Sequence, residues 1–271
     1  MKFLQQLLDE SRLLTILFDN LPLEIKESAL YRDVAAYLEE YAFYNNIIAT
    51  DAVAVYTNYI STFNRHCKQF VTIQKYPAEL DQNDFSVSRE EYDVVLMLSI
   101  LFTRHRYRIM ELLETRVEQA EKALYIGLGS GFEIALTGKA YHEIHAYDLS
   151  VNSFLFSRFP EIQLNIELYN GQFSSYFDAI FMIELLEHLP NPFELLNTCF
   201  ASLKKGGKIY LTTATDIPQF DHLYNFAADH SEFEEKLKEL GFSIEYKEMI
   251  PHQYLSMELK PSNHFYIIQK V

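Results

Sequence analysis

Apolar side chains recur every three or four positions through the first 120 residues. Leu4, Leu7 and Leu8, then Leu14, Leu17 and Phe18, keep that rhythm, which places them on one face of successive helices. Pro22 suits the first position of the next helix. Leu30, Val34, Tyr37, Leu38, Tyr41 and Tyr44 carry the period on, and this tyrosine stripe reads as helix packing ahead of a ligand wall. A turn-rich break follows at YPAELDQNDFS. Ser88 and Glu91 then form a capping box, predicting a long helix from there towards Gln119.

After Ala120 the grammar changes. Short apolar runs (ALYIG, EIHAYD, IQLNIEL, DAIFMI, KIYLTT, FSIEYKEMI and FYIIQK) alternate with helical stretches such as HSEFEEKLKELG. Alternation of this kind predicts a mostly parallel sheet with helices on both faces. The last two runs have no clear helix between them, which fits an antiparallel pair at the sheet edge. The expected division is an N-terminal helical region over 1–87 and an α/β domain over 88–271. Ligands of such open sheets sit beyond the carboxyl ends of the strands.

Composition narrows the function. The chain of 271 residues is 49% hydrophobic and 23% charged, ordinary for a globular protein. A net charge of −15 argues against a nucleic-acid backbone as partner. Cys67 and Cys199 are the only cysteines and neither has a companion at metal-ligand spacing, so no metal site is expected and a reducing cytoplasm is the simplest location. The densest apolar run, VVLMLSILF, is too short for a bilayer, which needs ~20 residues. The partner expected is therefore a small-molecule substrate, with neither membrane nor nucleic acid; the oligomeric state is left open.

The candidate chemistry starts at LYIGLGSGFEIALTG, where Gly127, Gly129 and Gly131 follow a predicted strand. A dinucleotide fingerprint wants a small residue at 132, where Phe132 stands, and a phosphate loop wants Gly-Lys-Ser/Thr, which is missing. Asp148 closes the next strand, and its carboxylate can accept from both hydroxyls of a ribose. Glycines beside a ribose-binding acid suit a nucleoside without pyrophosphate.

LYIGLGSG with AYDLS, FDAIFMIELLEHLPNPFELL and LKKGGKIYLTT resembles the class I S-adenosylmethionine-dependent methyltransferases, in particular their quinone-biosynthesis-like, small-molecule branch. The resemblance covers about residues 100–271. It implies a Rossmann-like seven-stranded sheet of order 3-2-1-4-5-7-6, its seventh strand antiparallel, with S-adenosylmethionine as cofactor. Carried over by position, Gly127, Gly129 and Gly131, with Ser130 among them, would approach the methionyl part. Asp148 would hold the ribose and Leu149 would pack on the adenine. Asn170 and Gly171 would meet the adenine edge, and Ile183 and Glu184 would lie at the site's mouth. Arg108 has the residue type and the spacing of a family arginine that pairs with the cofactor's carboxylate. The sequence departs from the family at Tyr125, where an acid usually helps to hold the cofactor's ammonium group.

Methyl transfer is a displacement at a sulfonium carbon, so alignment and water exclusion matter most. Candidates for a general base are Glu187 and His188 in ELLEHL, and His222 with Tyr224 in TTATDIPQFDHLYNF. The helical region reads as a lid over the pocket, or else as a purely stabilising core. A methyltransferase acting on a small-molecule acceptor by O- or N-methylation leads. The alternatives are other chemistry on the same cofactor, such as cyclisation to azetidine-2-carboxylate and methylthioadenosine, and a non-catalytic binding module.

Overall fold

A computed structural model of the protein describes residues 1–80, 85–253 and 259–271. The helical rhythm of the N-terminal region becomes α1 (Lys2–Glu10), α2 (Arg12–Asp19), the single turn α3 (Leu23–Lys26), α4 (Ala29–Tyr44) and the long α5 (Ala49–Ile73). Of the expected break at 76–86, Pro77–Leu80 form one tight turn, and 81–84 lie outside the described residues.

The predicted capping box forms: Glu91 N donates to Ser88 Oγ at 3.2 Å, and Ser88 N donates to Glu91 Oε2 at 2.8 Å. The single long helix expected beyond it does not. Thr103 takes an extended conformation, φ −127° and ψ 131°, dividing the segment into α6 (Arg89–Phe102) and α7 (Arg104–Arg116). Its β-branched side chain bonds back to the Ser99 carbonyl at 2.6 Å, a local bond that competes with continuation of the helix. The break restarts the helical phase, which decides which arginine of RHRYR faces inward.

The α/β part runs β1 (Ala120–Ile126), α8 (Phe132–Thr137), β2 (Tyr141–Asp148), α9 (Ser153–Arg158), β3 (Gln163–Ile166), β4 (Phe177–Met182), α10 (Pro192–Ser202), β5 (Leu203–Thr215), α11 (Ser231–Glu239), β6 (Phe242–Pro251) and β7 (Ser262–Lys270). The sheet order is β3-β2-β1-β4-β5-β7-β6, as the resemblance implies. β1 to β5 pair in parallel, and β7 is antiparallel to both β5 and β6.

Alternate residues of the central strands feed opposite faces. Leu124, Ile180, Met182, Ile209 and Leu211 pack on one side with α10 and α11 residues. On the other, Tyr125, Phe181 and Tyr210 are cross-strand partners in β1, β4 and β5. Their rings stack in series at 4.4 and 4.9 Å between centroids, tilted by only 6° and 9°. This second face shares one continuous buried cluster with the helices, from Phe3 and Leu38 through Leu98 to Ile267. The helical region is therefore built onto the sheet through a common core. Among the described residues, no helix is long and apolar enough to cross a membrane.

Candidate functional site

The glycine turn begins where β1 ends. Gly127, Gly129 and Gly131 have φ of 73°, 47° and 75°, backbone that side chains with a Cβ adopt only under strain. Space is short as well: a Cβ on Gly131 would lie 2.4 Å from Leu155 Cδ2, and one on Gly127 would lie 2.9 Å from Leu185 Cδ1. Asp148, at the end of β2, holds the turn in place. Its Oδ2 accepts from Leu128 N at 2.7 Å and its Oδ1 from Ser150 N at 3.0 Å.

The helices grip the same turn from above. Tyr37 of α4 donates to the Ser130 carbonyl at 2.8 Å. Arg89, the first residue of α6, donates to the Gly129 carbonyl, lies 3.5 Å from Asp148 Oδ1 and pairs with the buried Asp93 at 2.9 Å. The turn, the ends of β2 and β4, and the faces of α5, α6 and α7 enclose a cavity of about 560 Å³, within the range of small-molecule sites. Tyr56, Tyr59, Ile60 and Phe63 supply an aromatic wall from α5, and Tyr92 and Leu96 continue it from α6.

Of the arginines in RHRYR, Arg106 lines the cavity and Arg108 does not. Arg108 is on the protein's outside, bound through Nε to Glu248 at 2.8 Å and through Nη1 to Glu111, so its guanidinium is already saturated by carboxylates. Arg106 is buried, lines the cavity and meets Glu184 at 2.7 Å. Burial alone would press its pKa down, but Glu184 and Glu133 together hold it above the ordinary range. Glu184 has φ 51°. It is kept in that strained backbone by its N–H bond to Thr212 Oγ1 (2.6 Å) and by Asn263 Nδ2, which reaches its carboxylate at 2.8 Å. A non-glycine residue held so at the end of a central strand points to function.

Tyr125 occupies one end of the aromatic stack, 2% exposed, and its hydroxyl bonds Thr137 Oγ1 at 2.7 Å. It is a packing residue, and burial raises its pKa. An acid does lie nearby. Glu133, in the first turn of α8, lines both the main cavity and a small cleft shared with Tyr125 and Gly127. Burial raises its carboxyl pKa, and Arg106 draws it back.

Of the other expected site residues, Gly127, Gly129, Asp148, Ile183 and Glu184 line the cavity. Ser130 is buried beneath it, and Gly131 caps α8. Leu149, 68% exposed, lies outside the enclosed space beside Asp148. Asn170 and Gly171 also lie outside it, where Gly171 closes on Thr198 of α10. Tyr224 is not brought to the cavity. Its ring packs on Phe226 and Phe193 (centroids 4.8 and 6.2 Å), because its neighbours on that face belong to the core around α11.

The three remaining candidates converge, contrary to the expectation that no metal-ligand group exists. Glu187, His188 and His222 each place a ligand atom within 4.8 Å of the others. The backbone N–H groups of Leu223 and Tyr224 donate to the Glu187 carbonyl at 2.8 and 3.0 Å, tying the two segments together. Burial, then the nearby Glu184, raises the Glu187 carboxyl pKa. Burial pushes His222 well down, with His188 adding to it. For His188 burial presses down too, but Asp221 and Glu187 outweigh it and leave it raised. Arg106, Glu133 and Arg89 escaped the sequence reading; only Glu133 left a signal there, an acid two residues past the glycine turn.

Known proteins are similar to this chain in sequence and fold. The family described as "Methyltransferase domain" matches residues 97–245, more than half of the chain. The ubiquinone biosynthesis O-methyltransferase of Xanthomonas axonopodis pv. citri is 27% identical over 119 residues, 40% of this chain and 50% of that protein. The enzyme of the same name from Dechloromonas aromatica is 32% identical over 71 residues, 26% and 29% of the two chains. The chain thus spans half or less of the length of these curated relatives. Among solved structures, a candidate methyltransferase of Bacillus halodurans aligns with a TM-score of 0.51 at 12% identity, over 60% of this chain and 97% of that one. The YcgJ protein of Bacillus subtilis gives 0.50 at 13% identity, over 61% and 99%. These likenesses concern the fold.

Proposed function

Because this chain belongs to the methyltransferase-domain family, we propose that it transfers the methyl group of S-adenosylmethionine to a small organic acceptor, by O- or N-methylation. The observation that carries the reading is the charge pattern around the glycine turn. Asp148 offers a carboxylate for the ribose hydroxyls, while Glu133 and Arg106 line the same cavity with opposite charges. An amino-acid moiety carries an ammonium and a carboxylate, so the two residues match it group for group. Arg106 takes the carboxylate and Glu133 the ammonium.

Leu149 and Ile166 expose apolar side chains at the ends of β2 and β3 beside Asp148. The adenine ring covers this surface, with Asn170 and Gly171 at its edge. The aromatic wall from α5 and α6 then encloses the sulfonium and the acceptor, whose nucleophilic atom faces Glu187, His188 and His222. Their segments are tied together, so the acceptor is held in line with the methyl carbon and water is kept out. The cover formed by residues 1–87 acts through the Tyr37 contact with the turn.

The test is to incubate the protein with S-adenosylmethionine, alone and with fractionated cell extract, and to identify the nucleoside product by mass. Adenosylhomocysteine that accumulates only with an extract fraction supports methyl transfer. Methylthioadenosine, or no turnover with any fraction, contradicts it.

A further inference from the structure

Glu187 stands out among the described carboxylates. It is fully buried, and neither of its oxygens has a hydrogen-bond partner. A buried carboxylate without a partner is costly, and the neighbouring cation does not serve it, since Arg106 turns to Glu184. His222 is 4% exposed with its Nδ1 also unpartnered. The third member, His188, directs Nδ1 to the Asp221 carbonyl at 3.1 Å, which makes Nδ1 the donor and leaves the lone pair on Nε2. The two imidazoles stand perpendicular, 88° apart, with centroids separated by 4.9 Å. They meet edge to face instead of stacking.

We propose that Glu187, His188 and His222 bind one divalent cation of the zinc or manganese kind on the wall of the cavity that faces the acceptor. Ligand atoms around one such ion stand at most about 4 Å apart, twice a bond of roughly 2 Å. Separations within 4.8 Å therefore need only small side-chain rotations. Two imidazoles with one carboxylate select borderline transition ions over magnesium or calcium, which prefer oxygen alone. The surroundings supply what ligands require from a second layer. His188 is oriented by the Asp221 carbonyl. Asp221 is itself fixed by Tyr92 and Gln219, at 3.2 and 3.0 Å. Three protein ligands on a cavity wall leave a coordination position open to the cavity, where an acceptor oxygen or nitrogen would bind. Binding of the ion does not depend on the transfer reaction.

The experiment titrates the full chain, stripped with a chelator, with Zn²⁺, Mn²⁺ and Mg²⁺ by calorimetry, and with Co²⁺ followed by its visible absorption. One Zn²⁺ or Mn²⁺ per chain is expected, with Mg²⁺ at least tenfold weaker and a Co²⁺ spectrum showing nitrogen ligation. Glu187→Gln and His222→Asn should each lose at least tenfold in affinity, while His142→Asn, at an exposed position, keeps it. Circular dichroism verifies each fold, and if Glu187→Gln does not fold, the Co²⁺ spectrum of His222→Asn decides. No saturable binding, or one-to-one binding that survives in both site variants, overturns the proposal. Titration with S-adenosylmethionine is read separately: cofactor binding without cation binding overturns this inference alone, and the reverse overturns the methyltransferase reading alone.

Discussion

Restoring the family's usual acid by Tyr125→Asp should break the fold instead of tightening cofactor binding. Tyr125 is 2% exposed at one end of the Tyr125–Phe181–Tyr210 stack. Removing a buried aromatic ring costs about 3–5 kcal/mol in lost transfer energy and cavity, and the stacked pair adds ~0.5–1.5 kcal/mol. The incoming carboxylate would lie in the same apolar space without the Thr137 contact, at a further cost of roughly 1–3 kcal/mol. The total, about 4.5–9.5 kcal/mol, is comparable to the whole stability of an ordinary domain. Tyr125→Phe is the control. Thr137 Oγ1 gives its own proton to the Glu133 carbonyl at 2.7 Å, so the tyrosine is the donor in their mutual bond. Losing that bond should cost about 1 kcal/mol, or roughly 2–4 °C in Tm. Urea denaturation of the three proteins measures both effects. A folded Tyr125→Asp variant within about 2 kcal/mol of the parent, binding cofactor more tightly, would refute the assignment of the ammonium to Glu133.

Glu133→Gln should weaken S-adenosylmethionine about 10–100-fold, the worth of one charge-assisted hydrogen bond, while adenosine, which lacks the ammonium, binds both proteins alike in calorimetry. Gly131→Ala should lose roughly 2–5 kcal/mol of stability, from left-handed backbone and from overpacking against Leu155. Gly206→Ala, with φ 78° but nothing within 4 Å of its Cβ, should lose only the backbone part, about 1–2 kcal/mol; equal losses in urea would contradict the packing argument. Asp93 is buried, and that burial raises its carboxyl pKa from 3.8 to about 7 despite Arg89 and Tyr41. The folded state then holds this proton more tightly than the unfolded chain, so the group's contribution favours folding at low pH and is lost as pH rises from about 4 to about 7. Asp93→Asn should flatten that part of the stability profile, and parallel profiles of the two proteins would contradict the burial argument.

The legible features were those set by local spacing. The capping box at Ser88 and Glu91, the glycine turn, and Asp148 at a strand end each need only a few consecutive residues. The alternating runs around Ile180 and Ile209 likewise announced strands buried on both faces. What escaped depends on phase or on distant partners. Arg106 and Arg108 are two positions apart, about 200° around a helix, so choosing between them requires the phase that the Thr103 break resets. The role of Tyr125 lies in its register with Phe181 and Tyr210, which only the assembled sheet provides. Glu187, His188 and His222 meet because backbone bonds from residues 223 and 224 close on the Glu187 carbonyl, an association with no sequence period. Tyr224 was misjudged for the same reason, since its neighbour Phe226 and the more distant Phe193 claim the ring.

The central claim is that the glycine turn and Asp148 bind S-adenosylmethionine, and calorimetric titration of the parent protein and Asp148→Ala tests it most directly. The account predicts one cofactor per chain in the parent and an affinity lower by about 2–3 kcal/mol, roughly 30–150-fold, in the variant, with folding verified by circular dichroism. Absence of binding in the parent, or equal affinity in a folded variant, would contradict it.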